Sequence, residues 1–282
     1  MLFSCLLYLE DKMKIGITGA DGVIGSRLVK KDCIPLLCDV TNPEEVKTVL
    51  DMVKPDIVIH CAALTDVAYC ESHFKESFDV NVRGTFNVVG AMPKNSLFIY
   101  ISSDHVFSGQ NYFYDGYNER HKPSPVNRYG FSKWGGEEAS KTGKCRTIIV
   151  RSSRCFHYDW AKPTLDKLQN GEEVIFTDLI KRTFYHVDHL VEGLLYLAHN
   201  YESFPDLDII NISGNDRLSY YMFWANMHRY LGLPGKIKPR NFQLKNEAPR
   251  PFRGGLDIRK AKRMGFPLHR VEDGFELIKE GV

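Results

Sequence analysis

The chain has 282 residues, 43% of them hydrophobic, so it can bury a large core as one large α/β domain or two unequal ones. Its 37 basic and 35 acidic residues leave a formal net charge of +2, which gives no electrostatic case for binding nucleic acid or an anionic membrane. Seven cysteines, mostly within apolar runs and without a Cys-x-x-Cys pair, predict reduced thiols in a cytoplasmic protein, with no disulfide and no metal site.

We interpret residues 1–12 as an extension in front of the folded part of the chain, or as the result of an upstream translation start. The apolar stretch from Leu2 to Leu9 is too short to span a bilayer, and it lacks the basic start and small-residue cleavage site of a signal peptide. Met13 stands directly before the first predicted strand. We therefore expect neither a leader nor a membrane span here.

A glycine-rich turn joins the first predicted strand to the first predicted helix. The strand 15–18 runs into Gly19, Gly22 and Gly25, which are three residues apart, and 23–29 has the apolar spacing of a helix. Glycines at this spacing let the backbone turn tightly, approach a pyrophosphate closely and point helix amides at it. In this context the pattern predicts a dinucleotide cradle.

Predicted strands and helices alternate after this turn. A short strand at 33–40 ends in the carboxylate of Asp39, and Asn42 predicts the N-cap of a helix that ends near Lys54. Two buried strands follow, at 56–63 and 97–103, and a helix over about 74–92 separates them. This alternation predicts an α/β fold with a Rossmann-like, doubly wound parallel sheet, whose ligands bind at the carboxyl ends of its strands.

The next segment combines a long loop with a short polar motif. The loop 104–127 is long and rich in aromatic residues, which is unusual unless it shapes a site. Its aromatic residues are Phe107, Tyr112, Phe113, Tyr114 and Tyr117. Tyr129 and Lys133 follow on a predicted helix, where a spacing of four residues places both side chains on one face.

The C-terminal half alternates less regularly. Extended segments are predicted at 173–176 and 183–188, a helix at 187–199 and a strand at 208–212. A second helix, 220–231, is predicted to bury Met222, Phe223, Met227 and Tyr230, because an aromatic stripe at helical spacing is more often core than cofactor site.

Four motifs occur along the chain in the order Thr18-Gly-Ala-Asp-Gly-Val-Ile-Gly25, Ile101-Ser-Ser-Asp-His-Val-Phe107, Tyr129-x-x-x-Lys133, and Pro249-Arg-Pro251 with Leu256-Asp257 downstream. Together they resemble the extended short-chain dehydrogenase/reductases and, within them, the dTDP-4-dehydrorhamnose reductases. The resemblance extends from Met13 to the C-terminus. It implies an NAD(P)-binding Rossmann domain at 13–153 and a smaller, mainly substrate-binding lobe at 154–282, with about 183–212 returning to the first domain.

The resemblance implies that Tyr129 protonates the substrate's carbonyl oxygen while a nicotinamide delivers hydride. A free phenol has a pKa of about 10, so it exchanges its proton poorly at neutral pH. A neighbouring Lys133 ammonium and an oxidised nicotinamide would stabilise the phenolate and lower that pKa. Lys133 is also implied to hold the cofactor ribose, and Ser103 to hydrogen-bond the carbonyl oxygen. Ser102 and Ser103 point to opposite faces of their strand, so only one of them serves.

Carried over to this chain, the motifs imply binding residues for NADP or NAD and for a nucleotide sugar. The cofactor-binding set is Gly19, Asp21, Gly22, Val23, Ile24, Asp39, Val40, Cys61, Ala62, Ala63, Tyr129 and Lys133. The substrate-binding set is Thr65, Ser103, Asp104, His105, Val106, Phe107, Arg154 and Arg250. A bidentate guanidinium suits two phosphate oxygens, so Arg250 is expected on the diphosphate, with Arg253 as the second choice.

On the cofactor side, the chain departs from the family in its second strand–helix unit. Only 30–35 separates the first helix from the strand that ends at Asp39, so this unit is abbreviated. Asp39 then corresponds to the family residue that contacts the adenine, rather than to the acidic residue that binds the ribose. No residue of this chain clearly corresponds to that ribose-binding acid. Arg27, Lys30 and Lys31 are interpreted as a solvated helix face rather than as a 2′-phosphate site. The choice between NAD and NADP stays open.

On the substrate side, two residues differ from the family pattern. His105 stands where related dehydratases carry a glutamate, which argues against dehydration. It is either a group that titrates near neutrality or a hydrogen-bonded structural histidine. Arg154 stands where the family has a tryptophan, and an arginine there could grip a phosphate or a carboxylate. The sugar need not be rhamnose-like.

The leading hypothesis is an NAD(P)H-dependent reductase of the 4-keto group of a 6-deoxy nucleotide sugar, with no nucleic acid or membrane partner. One alternative is a nucleotide-sugar epimerase, which would keep its cofactor bound through the cycle. Another is a cofactor-binding regulatory subunit resembling the methionine adenosyltransferase beta subunit. The sequence leaves open whether the chain forms a homodimer.

Overall fold

The computed structural model of the chain describes residues 13–110, 115–242 and 248–280. The predicted extension at residues 1–12 lies outside the described residues, and so do three aromatic residues of the long loop, Tyr112, Phe113 and Tyr114.

The described strands and helices include those predicted from the sequence, together with others that it does not predict, such as the helix Tyr158–Gln169. The strands are β1 (Ile15–Thr18), β2 (Ile34–Pro35), β3 (Ile57–His60), β4 (Leu97–Ser103), β5 (Arg146–Ser152), β6 (Arg154–Phe156), β7 (Glu173–Thr177), β8 (Lys181–His186), β9 (Leu207–Asn211), β10 (Arg217–Ser219) and β11 (Lys236–Arg240). The helices are α1 (Gly25–Val29), α2 (Pro43–Val53), α3 (Val67–Ser72), α4 (Phe74–Phe78), α5 (Thr85–Ala91), α6 (Arg128–Ser140), α7 (Tyr158–Gln169), α8 (Val187–His199), α9 (Tyr220–Leu231), α10 (Arg259–Arg263) and α11 (Val271–Lys279).

Capping residues fix where the helices of the first half begin. The Asn42 side chain accepts hydrogen bonds from the amides of Glu44 and Glu45 at 3.1 and 3.4 Å, which confirms it as the N-cap of α2. Between α4 and α5 the chain makes one wide π-helical turn, Asp79–Gly84, so the predicted helix over 74–92 is one helical segment with an interruption.

Six strands form one parallel sheet in the order β2-β1-β3-β4-β5-β9. This confirms the predicted α/β fold with a Rossmann-like, doubly wound sheet. The edge strand β2 has only two residues, and α2 and β3 follow it directly. The second strand–helix unit is therefore abbreviated, as the sequence predicts.

Apolar side chains cover both faces of the sheet. On one face, α1 and α8 contribute Leu28, Leu190 and Leu194, which are fully buried against strand residues such as Ile148. On the other face, α2 and α5 bury their own apolar stripes against β3 and β4. Helix α8 thus packs against the main sheet and β9 belongs to it, whereas β8 pairs with β10 and β6 in a separate sheet. The return of 183–212 to the first domain remains a prediction.

The remaining strands and helices form what we call the lobe, consisting of β6–β8, β10, β11, α7, α9 and α11. Its strands form a three-stranded sheet, β10-β8-β6, and a two-stranded sheet, β11-β7. Its core is aromatic, and Phe223 of α9 is fully buried within it. The predicted buried face of α9 is partly wrong, because Met222 and Tyr230 are 43% and 38% exposed while Trp224 is buried. The boundary between the first domain and the lobe remains a prediction.

Candidate active site

The three side chains predicted to be catalytic lie where the main sheet meets the lobe. Ser103 ends β4, and Tyr129 and Lys133 lie on the buried face of α6. All three line a cavity of about 220 Å³, which we call the inner cavity. Its wall also includes Ile24, Cys61, Ala63, Thr65, Val67, Ile101, Ser102, Asp104, His105, Ser152, Ser153, Arg154, Cys155, Arg182, Tyr220 and Arg250.

Two asparagines hold α6 in place. Asn127 caps α6 by accepting from the amide of Gly130 at 2.7 Å, and its side-chain amide donates to the Pro249 carbonyl at 2.8 Å. Asn81, in the π-helical turn, pairs with both backbone groups of Leu64 at 2.8 and 2.9 Å and donates to Ser132 at 2.8 Å. The loop after β3 and the helix that carries Tyr129 are therefore bound to one side chain.

Burial governs the proton affinity of Tyr129. Its side chain is 9% exposed, and burial raises the pKa of the phenol above its usual range, while a hydrogen bond with Ser103 lowers it in part. Ser102 donates to Glu137 at 2.5 Å. Ser103 is thus the serine of this pair whose hydroxyl serves the phenol, while Ser102 belongs to a buried structural network.

Lys133 is 3% exposed, and burial lowers its pKa to about 7, against a smaller opposing effect of Glu137. Its Nζ atom lies 4.3 Å from the centre of the Tyr100 ring, where the π face stabilises the charged form. The amine is therefore poised to change charge near neutral pH.

His105 is held as a neutral structural histidine. Its Nδ1 atom lies 3.0 Å from the Asn127 side-chain amide, which donates to it. Burial lowers the pKa of His105 well below its usual value, and the charges of Arg182 and Arg250 lower it further. Of the two interpretations left open by the sequence, the structure supports the hydrogen-bonded one.

The glycine turn reaches the inner cavity through Ile24, and the loop after β3 reaches it through Cys61 and Ala63. Gly19 has a φ of +63° and lies against Ala62, so that a Cβ atom at Gly19 would come within 2.7 Å of the Ala62 backbone. A Cβ atom at Gly25 would come within 2.1 Å of the Gly19 carbonyl oxygen. The turn therefore requires glycine for close backbone approach, which fits a cradle for a dinucleotide.

Other predicted cofactor residues occupy the rim of this region. Asp21, Gly22 and Val23 are exposed in the turn itself. Asp39 is also exposed and accepts hydrogen bonds from both the amide and the hydroxyl of Thr41 at 2.9 and 2.8 Å. Val40 is buried against Gly84, so neither Asp39 nor Val40 reaches the inner cavity.

Arg27, the basic residue of α1, contacts helix α8. Arg27 forms an ion pair with Asp188 at 2.9 Å, and its guanidinium also donates to the Val23 carbonyl at 2.7 Å. The partnered position of Arg27 supports interpreting it as part of a helix surface rather than as a phosphate reader.

Most of the predicted substrate residues meet at the inner cavity, and three do not. Val106 and Phe107 are fully buried in a cluster with Tyr117 and Leu256, because the short 3-10 turn Asp104–Val106 directs them away from the cavity. Arg253 does not line the inner cavity and takes part in a β-bridge with Lys181. The side chains of Thr65, Asp104, His105, Arg154 and Arg250 do line it.

A second cavity of about 620 Å³, which we call the outer cavity, opens into the lobe. It shares Thr65, Val67, Arg154, Tyr220 and Arg250 with the inner cavity. The lobe adds Trp160, Thr164, Ile175, Phe176, Thr177, Ile180, Trp224 and Arg240 to its wall. Sequence reasoning missed Trp224 as a site residue because it treated the aromatic stripe on α9 as core, and it had no signal that brings Trp160 of α7 and Phe176 of β7 to the same wall.

The described residues contain no cluster of three or more histidine, cysteine or acidic side chains that could hold a metal ion. Within the same residues, no helix is both long enough and apolar enough to cross a bilayer.

A glycine cradle joined to a Ser–Tyr–Lys cavity on a parallel sheet defines the class of extended short-chain dehydrogenase/reductases. The family model described as the RmlD substrate binding domain matches residues 13–279, so the chain belongs to this family.

Three curated relatives illustrate the range of the family. A probable low-salt glycan biosynthesis reductase of Haloferax volcanii is 33% identical over 158 residues, which are 49% of this chain and 52% of that protein. A dTDP-4-dehydrorhamnose reductase of Aggregatibacter actinomycetemcomitans is 34% identical over 151 residues, 50% of this chain and 51% of that protein. The chain thus aligns with about half the length of these two. Methionine adenosyltransferase 2 subunit beta of Xenopus laevis is 26% identical over 280 residues, 88% of this chain and 81% of that protein.

Among solved structures, a dTDP-4-dehydrorhamnose reductase from Bacillus anthracis in complex with NADP superposes with a TM-score of 0.87. It is 26% identical, and the match covers 96% of this chain and all of that chain. The abbreviated second unit of this chain is therefore compatible with the whole fold of a reductase that binds NADP.

Proposed function

We propose that this protein is an NADPH-dependent reductase of the 4-keto group of a nucleotide-linked sugar, related to the dTDP-4-dehydrorhamnose reductases. The observation that carries the proposal is the meeting of Ser103, Tyr129 and Lys133 in one cavity that the glycine-turn residue Ile24 also lines. The structure of the Bacillus anthracis reductase contains NADP, which supports NADPH rather than NADH as the cofactor of this protein.

The residues present fit the dinucleotide. The turn from Gly19 to Gly25 would take the pyrophosphate, because its glycines allow close backbone approach and Gly22 is exposed. Cys61 and Ala63 would form the apolar floor beneath the cofactor. When bound, the cofactor supplies the hydride for the carbonyl carbon.

We assign proton donation to Tyr129. Its raised pKa keeps the phenol protonated until the proton is transferred to the carbonyl oxygen, and the Ser103 hydroxyl donates a hydrogen bond to the same oxygen. Lys133, with a pKa of about 7, becomes an ammonium ion beside a ligand that carries negative charge and then stabilises the phenolate. Arg250, which lines both cavities, is our candidate for the diphosphate.

The first test is calorimetric titration of the purified protein with NADPH and NADH, each with and without dTDP. We expect NADPH to bind in the micromolar range, with affinity unchanged or increased by dTDP. Failure of both cofactors to bind would overturn the reductase proposal.

The second test measures NADPH oxidation with 4-keto nucleotide sugars for the protein and two phenylalanine variants. Tyr129→Phe should lower turnover by about 10²- to 10⁴-fold, the usual contribution of a general acid, with NADPH affinity unchanged. Tyr230→Phe is the matched control, because Tyr230 lies on the exposed side of α9 and should leave turnover unchanged. Equal turnover of Tyr129→Phe and the unaltered protein would remove the tyrosine from the mechanism.

A regulatory role is the second candidate, because the match to methionine adenosyltransferase 2 subunit beta covers 88% of this chain. Stable co-purification with a methionine adenosyltransferase catalytic subunit, together with no turnover on any keto sugar, would favour it. Oxidised NAD that co-purifies with the protein would instead favour an epimerase.

A further inference from the structure

Arg154 carries a charge that the described part of the chain does not neutralise. Its guanidinium lies over the Trp160 ring, 4.5 Å from the ring centre, and no carboxylate among the described residues forms an ion pair with it. Its Nε atom is buried from solvent and has no hydrogen-bond partner. A buried N–H without an acceptor costs free energy, so the site is arranged for an acceptor that comes from outside the chain.

Two further residues of the cavity walls, Trp224 and Arg250, also offer an unpaired hydrogen-bond donor or an unpaired positive charge within the described residues. Trp224 is 1% exposed and lines the outer cavity, yet its indole N–H also lacks a partner. Arg250, which lines both cavities, forms no ion pair within the described residues either. The inner wall has one carboxylate, Asp104, which lies 3.4 Å from the Arg182 guanidinium. The outer wall also has one, Asp66, which accepts from the Tyr69 amide at 2.7 Å. Both carboxylates therefore have partners within the chain, whereas Arg154 and Arg250 leave positive charge that a ligand rich in anionic oxygens complements.

Arg154 lines the inner cavity together with Ser103 and Tyr129, so under the proposed function its charge lies near the sugar end of the substrate. It begins β6 directly after Ser153, whose hydroxyl donates to Asp104 at 2.7 Å, and Asp104 follows Ser103 in the chain. Arg154 therefore belongs to the same edge as the serine of the reactive set. A ring whose carbonyl lies at Ser103 and Tyr129 presents its own substituents to this guanidinium, while the diphosphate extends toward the larger outer cavity.

We infer that Arg154 selects a nucleotide sugar whose hexose carries a carboxylate at C6, and that Arg154 binds this carboxylate. This inference rests on the proposed reductase function and deepens it by replacing the 6-deoxy sugar of the family resemblance with a hexuronate. C6 is the exocyclic carbon of a hexose, so oxidation there adds an anion without enlarging the ring. A guanidinium pairs with a carboxylate through two parallel hydrogen bonds, which a methyl or hydroxymethyl group cannot form.

The test compares two pairs of stable ligands that differ only at C6, dTDP-glucose with dTDP-glucuronate and UDP-glucose with UDP-glucuronate. Hydroxyl forms are used because a 4-keto hexuronate readily loses carbon dioxide. Affinities are measured calorimetrically for the NADP-loaded protein, and dTDP and UDP alone report the diphosphate contribution. We expect the glucuronate of at least one pair to bind about tenfold or more tightly than its neutral partner, as for a desolvated charge pair.

Two arginine variants separate the two sources of anionic oxygen. Arg154→Gln should reduce the preference for glucuronate to about onefold while leaving the affinity for the nucleoside diphosphate unchanged. Arg250→Gln, the matched control, should weaken the nucleoside diphosphate and keep the preference for glucuronate. Melting curves of both variants verify that they fold.

Each other outcome overturns the inference. If Arg154→Gln weakens dTDP or UDP and both sugars equally, Arg154 binds the diphosphate. If the unaltered protein binds neutral and acidic sugars equally, the carboxylate assignment fails while the reductase proposal stands. If NADPH binds but no nucleotide or nucleotide sugar does, the proposed function fails and the inference fails with it.

Discussion

Arg151 and Arg154 are three residues apart and lie on the two sides of one cleft. Within the described residues, Arg151 forms an ion pair with a carboxylate and Arg154 does not. Arg151, on the sheet side, is 2% exposed, and its Nε and one Nη atom donate to the two carboxylate oxygens of Glu137 at 2.8 and 2.7 Å. Arg154, on the lobe side, rests on an indole ring and has no carboxylate partner among the described residues. A guanidinium that is paired with a buried carboxylate stabilises the fold. A guanidinium that has an unpaired N–H group beside a cavity is available to bind a ligand.

The largest expected effect concerns the sheet side. Arg151→Met leaves the Glu137 carboxylate buried without its cation, and breaking a buried pair on one side typically costs about 3–5 kcal/mol. Urea unfolding followed by circular dichroism measures this loss of unfolding free energy. The double variant Arg151→Met/Glu137→Leu should recover most of it, because no charge is then left buried. A loss below about 1 kcal/mol for the single variant would contradict the structural role.

The glycine cradle should respond next. A Cβ atom at Gly25 would lie 2.1 Å from the Gly19 carbonyl oxygen, so Gly25→Ala forces the backbone apart at a cost of about 1–3 kcal/mol. We expect NADPH affinity to fall at least about tenfold by calorimetry, since this approach shapes the turn.

Gly90→Ala is the matched control for this change. Gly90 lies on α5 and lines neither cavity, and a Cβ atom there would meet no atom within 4 Å. If both variants weaken NADPH equally, the close approach at Gly25 is not what shapes the cradle.

Lys133 lines the inner cavity, and we expect its amine to take up a proton when the cofactor binds. With a pKa of about 7, the free amine is largely uncharged at pH 8, and a bound phosphorylated cofactor favours the ammonium form. Binding at pH 8 should then take up as much as about 0.9 proton, and the uptake should shrink below pH 6, where the amine is already charged. Titrations in buffers of different ionisation enthalpy measure it, and Lys133→Met should abolish it. Identical uptake by the variant would assign the proton to another group.

The same pKa shift sets the direction of a stability change. Because burial lowers the pKa of Lys133 in the folded state, the unfolded chain binds the extra proton between pH 7 and the ordinary lysine pKa. The contribution of Lys133 to unfolding free energy therefore rises with pH across that window.

The smallest expected effect is on the stability of the lobe side. Arg154→Gln should change the free energy of unfolding by less than about 0.5 kcal/mol, because no ion pair within the described residues is lost. Urea unfolding beside Arg151→Met makes the comparison direct. A loss comparable to that of Arg151→Met would show that Arg154 is structural after all.

The sequence predicts the sheet side well because its signals are local. The glycine spacing, the Asn42 cap and the buried strands depend on neighbours within a few residues, and the structure confirms each of these elements. Tyr129 and Lys133 share a face because helical spacing alone puts them there.

The lobe side is harder to predict because its wall is assembled from distant segments. Trp160 and Trp224 come from α7 and α9, and they meet with ring centres 5.2 Å apart. A sequence stripe cannot reveal that one edge of a core tryptophan faces a cavity. Phe107 shows the opposite error, since its place beside Asp104 suggested a substrate contact while the 3-10 turn buries it.

The π-helical turn Asp79–Gly84 affects how the site unfolds locally. Through Asn81 it holds the backbone of Leu64 and the side chain of Ser132, whose hydroxyl donates to the Tyr129 carbonyl at 2.8 Å. We therefore expect amides of the loop after β3 and of the first turn of α6 to exchange together, as one unit of local unfolding, in a hydrogen-exchange measurement. If they do, this opening rather than unfolding of the whole chain sets the lifetime of the assembled site.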